Sequence, residues 1–66
     1  MTTAQLKDAK ANAKNAIMCA RGACDLLKRI EYVYRDDPDM RNQINLLIVD
    51  CDTLAVNIKT ILERIK

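Results

Sequence analysis

From Met40 onward, apolar side chains recur in alternating steps of four and three: Met40, Ile44, Leu47, Cys51, Leu54, Ile58, Ile61 and Ile65. This is the repeat of a left-handed coiled-coil seam, and it predicts one long helix. Upstream, Leu6, Ala13, Ala20, Leu27 and Tyr34 keep a seven-residue repeat, flanked by Ala9, Ala16, Ala23 and Ile30 and by Ile17 and Cys24. A second long helix follows from that pattern, its N-terminal half mostly alanine on the apolar side.

Between the two patterns stands the one strong break, Arg35-Asp36-Asp37-Pro38-Asp39. Asp37 can accept from the free amides of a new helix, and the ring of Pro38 suits a first helical turn. At the chain start, Thr2-Thr3-Ala4-Gln5 has the form of a capping box, with Thr2 as cap and Gln5 reaching back. The lone interior glycine, Gly22, weakens the first helix without ending it. The expected fold is all-α: one antiparallel two-helix hairpin domain over residues 1–66, with helices at about 3–35 and 38–65 and a turn at about 36–37. Folded there, the hairpin sets the alanines beside Leu54, Ile58, Ile61 and Ile65, so that large side chains enter the space small ones leave.

Both helices carry more apolar residues than a single neighbour can cover. On the second, Ile48 and Leu62 widen the stripe around Ala55, while Leu46, Val49 and Val56 fall outside it; on the first, Cys19, Leu26 and Val33 do so. Helices apolar over that much of their circumference are buried on more than one side, so these positions are the expected partner interface. A two-fold homodimer forming a four-helix bundle is the simplest closed solution, and a helix of another protein is the alternative. On the seam, Leu54 and Ile58 are both expected to be indispensable to the hairpin itself.

Composition narrows the chemistry. Half of the 66 residues are hydrophobic, yet Trp and Phe are absent and Tyr32 and Tyr34 are the only aromatics, which suits helix packing better than a β-sandwich. Eleven Lys and Arg stand against nine Asp and Glu, a net charge of +2, too close to neutral to imply strong attraction to nucleic acid or membrane. The start of the chain runs into Lys7, Asp8, Lys10 and Lys14 without an apolar stretch, so neither a secretion signal nor a membrane span is expected, and a cytoplasmic protein is. Cys19, Cys24 and Cys51 form no metal-binding spacing and leave one thiol over in any single-chain disulfide scheme, which favours reduced thiols.

There is no histidine, which removes Ser-His-Asp and Cys-His catalysis and histidine-ligated metal sites together. No glycine-rich phosphate loop exists either, so the chain is expected to be no enzyme and to hold no cofactor or metal. Asp36, Asp37 and Asp39 are better read as capping and dipole partners of the second helix than as a cation loop. Asp50 and Asp52 point about 160° apart on a helix and are expected to be solvated. Cys24 and Cys51 fall at a similar level of the hairpin and are expected to be neighbours acting as small hydrophobes. Tyr34 continues the seam and is expected in the core; Tyr32 projects elsewhere.

Lys7, Lys10, Lys14 and Arg21 form a loose basic face on the first helix, diluted by Asp8 and Asp25, that a helical dimer could set against a nucleic-acid backbone. In size and hairpin shape the chain is similar to several unrelated groups: small co-chaperone subunits of type III secretion needles, plasmid copy-control bundles of the Rop type, and small phage or regulatory adaptors. Shape alone carries that likeness. The leading functional expectation is a non-enzymatic protein–protein interaction module, acting as adaptor, chaperone subunit or regulator through its apolar surface. The alternative is a dimeric helical regulator of the Rop type that binds nucleic acid through the basic face.

Overall fold

The computed structural model describes residues 1–65. Among them are two helices and no strand: α1, Thr3–Val33, and α2, Pro38–Arg64, packed as a hairpin whose Cα atoms extend 52 × 15 × 11 Å. The capping box at the start of α1 is formed in both directions. The Gln5 amide donates to Thr2 Oγ1 at 3.1 Å, and the Thr2 amide donates to Gln5 Oε1 at 2.9 Å, so two amides with no helical partner are satisfied. Asp37 begins α2 in the same manner, its Oδ1 accepting from the Met40 amide at 3.2 Å with Pro38 behind it.

Proline also explains where α1 stops. Asp37 precedes Pro38 and is held in an extended conformation, so the chain must leave the helix before it. Tyr34 caps α1, its amide still donating to Ile30 O at 3.1 Å, and the Asp37 amide then closes the turn onto Tyr34 O at 3.0 Å. Arg35 locks the corner: its guanidinium lies 4.5 Å from the Tyr32 ring centroid and its Nη1 donates to Tyr32 O at 2.8 Å.

The core is thin. Only Ala20 (5% exposed), Cys24 (4%), Ile44 (5%) and Ala55 (8%) are buried among the described residues. In a two-helix hairpin a side chain can hide only against the opposite helix, so burial reports which face is turned inward. On α1 the inward positions are Leu6, Ala13, Ala20 and Leu27, with Ala9, Ala16, Ala23, Ile17 and Cys24 beside them. Ile30 and Tyr34 are exposed instead, and Glu31 takes the inward position at the turn end, with Oε2 buried and unpartnered.

On α2 the inward face is rotated from the expected one. Met40, Ile44, Cys51, Ile58 and Ile65 turn inward, joined by Ile48, Ala55 and Leu62, whereas Leu47, Leu54 and Ile61 remain 50%, 52% and 57% exposed. Both sets repeat every seven residues, so periodicity alone did not separate them. The choice follows from volume. Ala55 shares a cleft with Arg21, next to Ala20, and two buried methyl-sized residues at mid-hairpin let the backbones approach more closely than Leu54 would.

Candidate interaction surfaces

At 100° per residue, the inward direction of each helix divides the rest of its surface into two flanks, and the antiparallel pairing sets one flank of α1 beside one of α2. The first combined face is apolar. It carries the ridge Leu47, Leu54 and Ile61 from α2, and from α1 the small residues Ala16 and Ala23 followed by Ile30. The second is polar and more basic than acidic, with Lys7, Lys10, Lys14, Arg21, Asp25 and Lys28 from α1 and Asp52, Lys59 and Glu63 from α2. A shallow cleft of about 250 Å³ fixes that pairing, because Arg21, Asp52, Ala55, Val56 and Lys59 line it together.

Of the eight positions expected at a partner interface, Cys19, Leu26, Val33, Leu46, Val49 and Val56 are exposed. Ile48 and Leu62 instead belong to the hairpin's own seam, in line with Ala55. The exposed six do not form one patch: Cys19, Leu26 and Val33 lean to the apolar side of α1, while Val56 lines the basic cleft and Val49 lies one turn-pair below it on the same helix flank. The continuous apolar ridge is therefore Leu47, Leu54 and Ile61, which sequence reasoning had placed in the core. The signal that could have found it is the parallel repeat Ile48, Ala55 and Leu62, which offers α1 a smaller residue at the midpoint.

Among the described residues, one side-chain hydrogen bond joins α1 to α2 across the seam. Cys24 Sγ donates to Asp52 Oδ1 at 3.5 Å, so Asp52, though exposed, is tied to a buried thiol and is not simply solvated. Burial pushes the Cys24 thiol above its ordinary range, the hydrogen bond to Asp52 and the charges of Asp52 and Asp25 push the same way, and Lys28 opposes them. All three cysteines are free: Cys24 buried, Cys51 half-buried, Cys19 exposed. Cys24 directs its hydrogen bond to Asp52 and not to Cys51. A thiol so placed is a poor nucleophile, because the thiolate is the reactive form.

Among the described residues, no three His, Cys, Asp or Glu side chains converge as metal ligands, and no helix is long and apolar enough to cross a membrane. No family model, curated protein or solved structure matches the chain. What the hairpin can do must be read from its two faces.

Proposed function

We propose that this hairpin is a protein–protein interaction module that acts by binding and not by catalysis, and that a second copy covers its apolar face in a four-helix bundle. The observation that carries the reading is the ridge of Leu47, Leu54 and Ile61, half or more exposed and repeating every seven residues beside the intramolecular seam. A ridge with the period of the seam suits a helical cover of the same supercoil, which another copy of the chain supplies. Ridge and small-residue furrow, Ala16 with Ala23, share one face, as a self-complementary two-fold contact requires.

Area points the same way. The chain exposes 5334 Å² at 7.5 kDa, where a compact monomer of that mass exposes about 4,200 Å². The excess, roughly 1,100 Å², exceeds the about 800 Å² per partner of an ordinary stable interface. Such a bundle serves as an adaptor or regulator through whatever its outer faces bind.

Light scattering across a concentration series, with far-UV circular dichroism on the same samples, tests this. A helical species of twice the chain mass is expected. A fully helical monomer at high concentration sinks the homodimer and leaves the ridge to a different chain.

A further inference from the structure

The basic residues of α1 are more ordered than a solvated face requires. Lys7, Lys14, Arg21 and Lys28 follow one another at intervals of seven, with Lys10 between the first two, and all but Lys10 are exposed. Residues seven apart on a helix drift only about 20° per step, in the sense of the seam, so the four cations form one stripe along the hairpin. Steps of seven residues place them about 10.5 Å apart, and the stripe is about 32 Å long. At its middle α2 contributes Lys59, which lines the inter-helix cleft with Arg21. The one acid in that cleft, Asp52, accepts from the Cys24 thiol and keeps its charge, so the cleft holds two cations against one anion. Asp25 dilutes the stripe on α1 and Glu63, one turn from Lys59, dilutes it on α2, while Asp8 falls on the other flank of α1.

We infer that this stripe binds the phosphate backbone of duplex nucleic acid, without reading its sequence, and that Arg21 and Lys59 hold one phosphate at the cleft. The dimensions fit: the stripe of about 32 Å matches one duplex turn of about 34 Å, so its cations can lie along the phosphates of one turn. A membrane surface is the poorer match, since helices that lie on lipid need apolar side chains beneath their cations, and here the apolar ridge is on the opposite face. The inference goes beyond the proposed dimer and does not require it, because the ridge and the stripe use different faces.

Fluorescence anisotropy with a labelled DNA duplex long enough to cover the stripe, titrated over a salt series, is the test. Four phosphates, met by Lys7, Lys14, Lys28 and the Arg21–Lys59 pair, give a slope of about −3.6 in log K against log salt, a loss of roughly 150-fold for a fourfold rise in salt. The double variant Lys7→Gln/Lys14→Gln, which removes two separate contacts, should lower that slope by about 1.8 at unchanged helicity and unchanged solution mass. Leu54→Asp, on the other face, should leave binding per chain unaltered while the hairpin stays helical. An unchanged slope in the double variant overturns the inference. So does failure to bind the duplex at low salt, or stronger binding to anionic lipid vesicles than to the duplex.

Discussion

Cys24 and Asp52 are joined across the helix seam, Sγ donating to Oδ1 at 3.5 Å, from a thiol only 4% exposed to a carboxylate open to solvent. The contact marks the register of the hairpin, placing residue 24 of α1 level with residue 52 of α2, as the cleft that Arg21 and Ala55 line together also does. It also gives the fold a dependence on pH. The folded state holds the Cys24 proton more tightly than the unfolded chain does, since burial and Asp52 raise its pKa above that of an ordinary thiol. Stability from this group is therefore fully present below the unfolded value and is lost as pH rises through the folded one. Thermal melts should hold steady from neutral pH to about pH 8 and fall above about pH 9, and the fall should shrink in Cys24→Ala. An identical alkaline loss in Cys24→Ala would assign it to other groups.

The same burial orders the thiols by reactivity. With a small alkylating reagent at mildly alkaline pH, Cys19 should be modified first and Cys24 last, as read by peptide mass spectrometry. Asp52→Asn removes the charge that raises the Cys24 thiol, so alkylation of Cys24 should quicken while that of Cys19 does not change.

Gly22 has no structural reason to be glycine. A Cβ built there meets nothing within 4 Å, and the residue is exposed in mid-helix. Gly22→Ala should stabilise the hairpin by about 0.5–1 kcal/mol, raising the melting temperature by a few degrees, chiefly because glycine loses more backbone freedom on folding. Ala55→Leu is the opposite case: it forces a large side chain between backbones brought together at Ala20 and Ala55, and should cost about 1–3 kcal/mol. Equal melting temperatures for the two variants would mean that the helices do not meet closely at that level.

Helix ends and the turn were legible in the residues because their causes are local. Thr2 with Gln5, and Asp37 with Pro38, each act within three residues, and both caps form as the spacing implies. The α1 seam was plain as far as Leu27, since the alanines leave few choices, but beyond it Ile30 and Tyr34 are exposed. The rotation of α2 was not legible, because Leu47, Leu54 and Ile61 and the set Ile48, Ala55 and Leu62 have the same period and similar hydrophobicity. Only the volume of the buried Ala55 separates them, and volume matters only once both helices are placed. Glu31 was missed for the same reason: its inward position depends on the register, and its polarity argued against it.

The Asp37 cap sustains the corner on which that register depends. Asp37→Ala removes the acceptor for the Met40 amide and should cost about 1 kcal/mol, whereas Asp36→Ala, which forms no cap, should cost much less. Urea titration followed by circular dichroism separates the two, and equal midpoints would place the strength of the turn elsewhere, in the Arg35 contacts with Tyr32.

Rotation of α2 changes what a charged substitution at Leu54 should do. On the seam, Leu54→Asp would unfold the hairpin; at 52% exposure it should leave the hairpin helical and halve the solution mass, because the charge enters only the face a second copy covers. Two comparisons make this decisive. Ile44, 5% exposed, is in the core, and Ile44→Ala should cost about 2–5 kcal/mol and lower helicity at every concentration. Val56, at 63%, is more exposed than Leu54 and lines the basic cleft, so Val56→Asp should preserve both helicity and mass. If Leu54→Asp keeps the mass of the parent while Val56→Asp halves it, copies associate through the basic side and the ridge is left for another chain. If Leu54→Asp loses its helicity even at high concentration, the hairpin cannot stand without its cover, and folding and assembly are one event.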